Sequence, residues 1–363
     1  MGSKHSGSVD LMLDTLRAYT DAGKIMLGHQ NAGHIGISIS KRDGTDSDIK
    51  QLTGRMPAVV GIDTLSFLGY EGKMADLIKI VKNLHRQGCI ITLSSHMPNL
   101  VLGGPDTYYD YSPNDVTDDC GHRIMPGGDL NGKFTRFLDM IVKFAGECID
   151  LSGDPIPMIF RPFHECNGDW FWWGRPHLTD EEYIELYRYT VTYLEDAGVK
   201  SFAYCYSPNG PVRTQRDYMT RYPGDEYIDI IGLDFYHDRP AINEGFFADL
   251  DKSLSIICKI AKSHHVIPAL TEIGMRTLDS GVDYYEGLAP SGNPSNWFTD
   301  ISSVLFSHKI AYILFWSNFS KMQYWIPYVS GDEEHELVSD FKAFALDEHI
   351  ALAPVIDIGD GMI

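Results

Sequence analysis

The sequence predicts a single-domain α/β fold, a closed (β/α)₈ TIM barrel, and three observations predict it. Apolar runs of four to eight residues alternate with amphipathic stretches of ten or more, the rhythm of parallel strands joined by crossover helices. Eight such runs can be counted, each continuously apolar before turning polar at its C-terminal end, as suits strands buried on both faces. No composition shift, Pro/Ser-rich linker or internal repeat divides the 363 residues, a length that one barrel accommodates.

In chain order the strands are predicted at 25–29, 58–65, 89–96, 157–165, 202–208, 228–236, 267–274 and 310–318. Helices are predicted between them at 74–87, 132–149, 179–197, 245–263 and 295–307, and Thr179 with Glu182 three positions on forms a capping box. Two connections are long: 98–131 carries Tyr108, Tyr109 and Tyr111, and 275–293 carries Tyr284 and Tyr285. Loops of that length are usually functional or disordered rather than mere connectors, and these two lie on the barrel's C-terminal rim, where barrel active sites sit. Residues 1–15 read as an expression remnant and lead-in, since Met1-Gly2-Ser3-Lys4 lacks an apolar signal core and looks like a scar in place of a native leader; 16–363 read as the barrel domain.

Lys+Arg 30 against Asp+Glu 50 gives a net charge of −20, which repels phosphate backbones and anionic membrane surfaces, so nucleic acid is excluded as a partner. No apolar run approaches the roughly 18 residues of a membrane span, and the run at 312–316 reads as a buried strand. A soluble monomer is expected. The six cysteines form no CxxC pair and read mostly as buried free thiols. No metal or cofactor is expected: His164-Glu165 lacks a second His four places on, and no strand is followed by GxGxxG, a P-loop or GxSxG.

The polar strand ends locate the chemistry. Strand parity puts Arg161 with Glu165 on the fourth strand, Leu270 with Glu272 on the seventh, and Gly232 with Asp234 and Tyr236 on the sixth. It likewise groups Gly61 with Asp63, Ser94 with His96, and Leu314 with Trp316 and Asn318. Polar groups that converge on one rim point to a cleft, because burying them unpaired is costly. Glu165 and Glu272, across the barrel mouth, suit cleavage of a glycosidic bond, which needs one protonated acid and one carboxylate. Either Glu alone could equally be an ion-paired rim residue. Trp170, Phe171, Trp172 and Trp173 follow Glu165 on a Gly-flanked loop, so their rings are placed to stack on sugar faces, Trp170 foremost. Trp316 admits two readings, an opposing platform or barrel-top packing. Arg161 and Asp234 could form a buried ion pair that braces the site, with Asp63 also behind the rim. His96 reads as a contact to a sugar hydroxyl or as a structural histidine.

The run from Arg161 to Gly174, RPFHECNGDWFWWG, resembles the acid/base motif of glycoside hydrolase family 26, the β-mannanase family. Gly28-His29-Gln30, Ser95-His96, Asp234-Phe235-Tyr236 and Thr271-Glu272-Ile273-Gly274 agree with that family, so the likeness covers essentially the whole chain. Cys166 is the local departure, where an apolar residue such as Met is expected. The resemblance implies a retaining enzyme cleaving β-1,4-mannosidic bonds in mannan, galactomannan or glucomannan, with Glu165 as general acid then base and Glu272 as nucleophile. It also implies substrate contacts from His164, Tyr236, Asn167 and Trp173. Mixed-linkage glucan or β-1,3-xylan is the alternative substrate on the same mechanism. A non-catalytic carbohydrate-binding barrel is a further rival, and a barrel acting on phosphorylated metabolites would want a Gly-rich cradle that is missing after strands seven and eight. A polymer substrate implies an extracytoplasmic bacterial protein, periplasmic, surface-bound or secreted.

Overall fold

The computed structural model describes residues 4–355 apart from 70, 110–111, 117–118, 241–242 and 277–295. Eight parallel strands close into a cylinder: Ile25–Gln30, Val59–Asp63, Ile90–Ser95, Met158–Pro162, Phe202–Tyr206, a sixth in two pieces (Ile230–Ile231 and Asp234–Asp238), a seventh in two pieces (Ile267–Pro268 and Leu270–Arg276), and Tyr312–Phe315. The ring closes where Met26 to His29 pair with Tyr312 to Phe315. The fold is a (β/α)₈ barrel.

The register brings the polar tips level. Asp63 pairs with Ser94, Ser94 with Arg161, and Asp234 with Glu272. The split of the sixth strand is the main departure from the predicted 228–236. Its first piece pairs with the fifth and seventh strands, and the ladder then breaks at Gly232, whose carbonyl accepts from the Tyr218 hydroxyl at 2.6 Å.

Amphipathic helices cover the outside. Asp180–Asp196 opens on the predicted capping box, in which Thr179 and Glu182 each satisfy the other's backbone N–H. Asn131–Glu147 and Phe246–His264 lie within two residues of the predicted 132–149 and 245–263. The predicted 295–307 is observed as Trp297–Leu305, and Ser295 lies outside the described residues.

The boundary drawn at residue 15 needs correction. Gly7–Asp21 is one helix, capped by Ser6, and it buries Val9, Met12, Leu13 and Leu16 against Met26, Ala203, Ile230 and Ile267 at the barrel's N-terminal end. Each such side chain contributes about 1.5–3 kcal/mol, so this segment is part of the barrel's core rather than a lead-in. Five of the six cysteines are buried, and all are free thiols. No helix among the described residues is long and apolar enough to cross a membrane.

Candidate active site

The fourth strand ends earlier than its apolar pattern suggests. Its ladder stops at Pro162, and Phe163 and Glu165 then take φ of 51° and 53°, a left-handed conformation that non-glycine residues rarely hold. Strand parity therefore does not carry Glu165 to the cleft; two backbone kinks do. The Glu165 N–H donates to Ser207 O at 2.8 Å, which fixes the turn. Strained backbone of this kind persists only where the surroundings hold it, and here the next turn is locked as well. The Trp173 indole donates to His164 O at 2.8 Å, and Trp172 donates to Met97 O at 3.0 Å.

Glu272 stands in the seventh strand beside Asp234. The Tyr236 hydroxyl donates to Glu272 Oε2 at 2.7 Å, and one Arg161 nitrogen donates to Glu272 Oε1. The other terminal nitrogen of Arg161 donates to Asp234 Oδ2 at 2.8 Å and to the Ser207 hydroxyl at 3.0 Å. Arg161 is thus buried beneath the cavity as a brace between two carboxylates. Burial and the charge of Glu272 keep the Tyr236 hydroxyl protonated far above neutral pH, so it remains a donor.

The closest oxygens of Glu165, Asp234 and Glu272 lie within 4.8 Å of one another. A cation would fit such a trio, but Arg161 already supplies a positive charge to two of its members. Burial, then the neighbouring charge of Glu272, lifts the Glu165 carboxyl to about 7, against the opposing pull of Arg276, Trp170 and Arg161. The Trp170 indole donates to Glu165 Oε2 at 2.7 Å, and its ring lies so close over Gly168 that a Cβ there would sit 2.4 Å from it. Trp170 is 36 % exposed, and it reaches the site through this bond to Glu165 rather than as part of the cavity wall.

Glu165, Glu272, Tyr236, His96, His164, Asp63 and Trp316 line one cavity of about 210 Å³. The His96 ring meets Asp63 Oδ2 at 2.8 Å and packs edge-on against Trp316 at 5.7 Å. Burial works against charging His96, but Asp63, Glu272 and Glu71 overcome it and raise its pKa. His164 is its opposite: burial, then Arg161 and His96, hold it well below the usual histidine range, so it is neutral, with Nε2 4.0 Å from Glu272 Oε1.

Two expected substrate contacts sit elsewhere. Trp173 is fully buried, stacked on Phe171 at 4.5 Å, so it supports the cleft from below and presents no face to a sugar. Asn167 turns away from the cavity and clasps Asn209, donating to its carbonyl at 2.8 Å and accepting from its N–H at 2.7 Å. It borders a separate cavity of about 160 Å³. In the connection 98–131, Tyr108 packs on Phe137 at 5.5 Å, while Asn114 donates to Trp170 O at 3.0 Å, so this segment buttresses the Trp loop. Tyr111, Tyr284 and Tyr285 lie outside the described residues.

Arg276, Glu71, Phe319, Gln323 and Trp325 also line the cavity, though nothing in the pattern reading singled them out. Arg276 lies over the Tyr236 ring at 4.3 Å and pairs with Asp238 at 2.9 Å. Extending the seventh strand by two residues would have found it, since it shares parity with Glu272. Trp325 packs against Gly274, where a Cβ would sit 2.2 Å from its ring, a constraint invisible before the eighth strand's loop is placed.

Residues 6–305 match the family described as Glycosyl hydrolase family 26. The chain belongs to that family. A mannan endo-1,4-β-mannosidase of Bifidobacterium adolescentis is 34% identical over 343 residues, covering 89% of this chain and 32% of its own length. The solved catalytic domain of a family 26 endo-β-1,4-mannanase from Bacillus sp. JAMB-750 superposes with a TM-score of 0.87 at 36% identity, covering 97% of this chain and 93% of that one. A family 26 β-mannanase from Bacteroides ovatus gives 0.82 at 28% identity, covering 96% and 95%. The chain thus spans about a third of the Bifidobacterium relative yet nearly all of the solved domains. Family 26 membership and the barrel rest on these likenesses together.

Proposed function

We propose that the chain hydrolyses β-1,4-mannosidic bonds within mannan, galactomannan or glucomannan by double displacement, with retention of anomeric configuration. The observation that carries the reading is the pair Glu165 and Glu272, with oxygens within 4.8 Å, one carboxyl lifted to about 7 and the other held by Arg161 and Tyr236. Retaining glycosidases use a close carboxyl pair of this kind, whereas inverting ones leave room for a water between the two.

In the first step Glu165 gives its proton to the glycosidic oxygen while Glu272 bonds to the anomeric carbon and the C–O bond breaks. Arg161 and Tyr236 hold the nucleophile's oxygens and keep its charge in place until attack. Forming the ester removes the negative charge that helps to raise Glu165, so its conjugate base becomes a weaker proton holder in the intermediate. Glu165 then takes a proton from water, which attacks the anomeric carbon and releases Glu272. Trp170 and Trp316 offer ring faces to the sugars, and His96, charged through Asp63, donates to a hydroxyl.

The mannan assignment is supported by the relatives' described activities and by family membership. The proposal extends to a monomer acting outside the cytoplasmic membrane, since a polysaccharide cannot cross it. The test is parallel incubation with mannan, galactomannan, lichenan and β-1,3-xylan, following the product anomer by proton NMR. Mannan cleavage giving the β-anomer first, abolished in Glu272→Ala, is expected. An α-anomer product, or preference for lichenan or xylan, would overturn the mechanism or the substrate respectively.

A further inference from the structure

The loop that follows Glu165 is held from outside the cleft by a residue that the reaction above does not use. Arg221 stands just after the short helix Gln215–Met219, in the connection between the fifth and sixth strands, and is 2 % exposed. Its guanidinium directs its donors at one segment. Nη1 donates to Cys166 O at 2.8 Å and to Trp173 O at 3.1 Å, Nη2 donates to Leu178 O, and Nε donates to Asp180 Oδ1 at 2.8 Å. One nitrogen thus ties together both ends of the run 166–173, which carries Trp170, whose indole is bonded to Glu165 Oε2 at 2.7 Å. The guanidinium also lies over the Tyr183 ring at 5.2 Å, and the Tyr183 hydroxyl donates to Phe163 O at 2.9 Å. The carbonyls of Phe163, His164, Glu165 and Cys166 therefore accept in turn from the Tyr183 hydroxyl, the Trp173 indole, the Gly168 N–H and Arg221. The left-handed backbone at Phe163 and Glu165 is strained and lasts only while such neighbours over-determine it. A planar fork of donors suits several carbonyls at fixed angles, and a buried carbonyl that loses its donor is driven to find another. Without Arg221 the loop would relax, and the Glu165 carboxyl would move with it.

We infer that Arg221 is a positioning residue for proton transfer, holding the loop that aims the Glu165 carboxyl at the leaving oxygen. The inference rests on the reading of Glu165 as acid/base, and a leaving group that needs no proton separates the two. Wild type, Arg221→Ala and Glu165→Ala are assayed well below their melting points on phenyl and 2,4-dinitrophenyl β-mannobiosides. The quantity compared is kcat/KM, which reports the step that breaks the glycosidic bond, and Tm is measured alongside. Arg221→Ala is expected to lower kcat/KM about 10- to 100-fold on the phenyl substrate and less than about threefold on the dinitrophenyl one, because misplacing the acid slows only the departure that needs its proton. Glu165→Ala is expected to show the same contrast with a larger loss on the phenyl substrate. Arg221→Lys keeps the charge but not the fork, and replaces the alanine variant if that variant does not fold. Equal losses on the two substrates, or no loss on either, in the Arg221 variant overturn the inference alone when Glu165→Ala keeps its contrast. A Glu165→Ala variant without that contrast overturns the acid/base reading and the inference with it. If wild type leaves both mannobiosides intact, the mannan reading falls and Arg221 is judged on the corresponding cellobiosides and xylobiosides; a wild type inert on all of them overturns both.

Discussion

Glu165 is held in a state that works against the fold at alkaline pH, and Glu165→Gln should expose that conflict. Burial and the charge of Glu272 raise its carboxyl from 4.5 to about 7. A group whose pKa is higher in the folded than in the unfolded chain contributes its full stability below the unfolded value and loses it as pH rises through the folded one. The window here runs from about 4.5 to about 7, and the loss above it is about 3 kcal/mol, at 1.36 kcal/mol for each tenfold change in proton affinity. Glutamine is neutral throughout and can still accept from the Trp170 indole. The variant should therefore melt with the wild type at pH 4 and above it at pH 8.5. Differential scanning calorimetry at the two pH values would show a gap opening by several degrees, at about 2–4 °C per kcal/mol for a large domain. A gap of the same size at both pH values would mean that Glu165 is not held protonated by the fold, and the assignment of the acid would lose its physical basis. The same carboxyl sets the alkaline limb of kcat/KM near pH 7, since only its protonated form can protect the leaving oxygen from departing as an alkoxide.

Tyr236→Phe removes the hydroxyl bonded to Glu272 and should lower kcat about 10- to 100-fold with Tm little changed; a rise in KM alone would argue for sugar binding instead. Trp170→Phe deletes the indole N–H that pulls the Glu165 pKa down, so the alkaline limb of kcat/KM should move to higher pH, and a shift to lower pH would contradict the assigned bond. Arg161→Met leaves two buried carboxylates facing each other and should cost about 3–5 kcal/mol of stability at pH 8, with a smaller loss at pH 4, where Asp234, whose carboxyl burial already lifts above its usual range, can be protonated; equal losses would count against the brace. Leu16→Ala should lower stability by about 2–5 kcal/mol without altering KM, as measured by calorimetry and steady-state kinetics, and an unchanged Tm would detach the N-terminal helix from the core.

The barrel was legible because burial on both faces leaves its mark on the strands: Tyr312–Phe315 and Phe202–Tyr206 are continuous apolar runs that no surface element would carry. The helix at Asp180–Asp196 was legible for a local reason, since a capping box is written within four residues. The opening helix was not, because its apolar face begins directly after the Gly- and Ser-rich residues 2–8. Only its contact with Ile230 and Ile267 marks it as core. In the site, Tyr236 and Glu272 share a predicted rim because strand register is set by parallel pairing. Trp173 was misplaced because a cluster of indoles in a loop does not record which ring faces outward; Phe171 and His164 decide that by taking its face and its N–H.

The order of strands, the two glutamates and the aromatic loop between them were therefore properties of the chain as a string, since periodicity and capping act over a few neighbouring residues. The charge states were not. A carboxyl at about 7 and a neutral His164 arise from burial and from charges that the chain brings together across distances such as the 111 residues between Arg161 and Glu272. Electrostatic energy depends on separation and solvent access in space, which only the closed barrel defines.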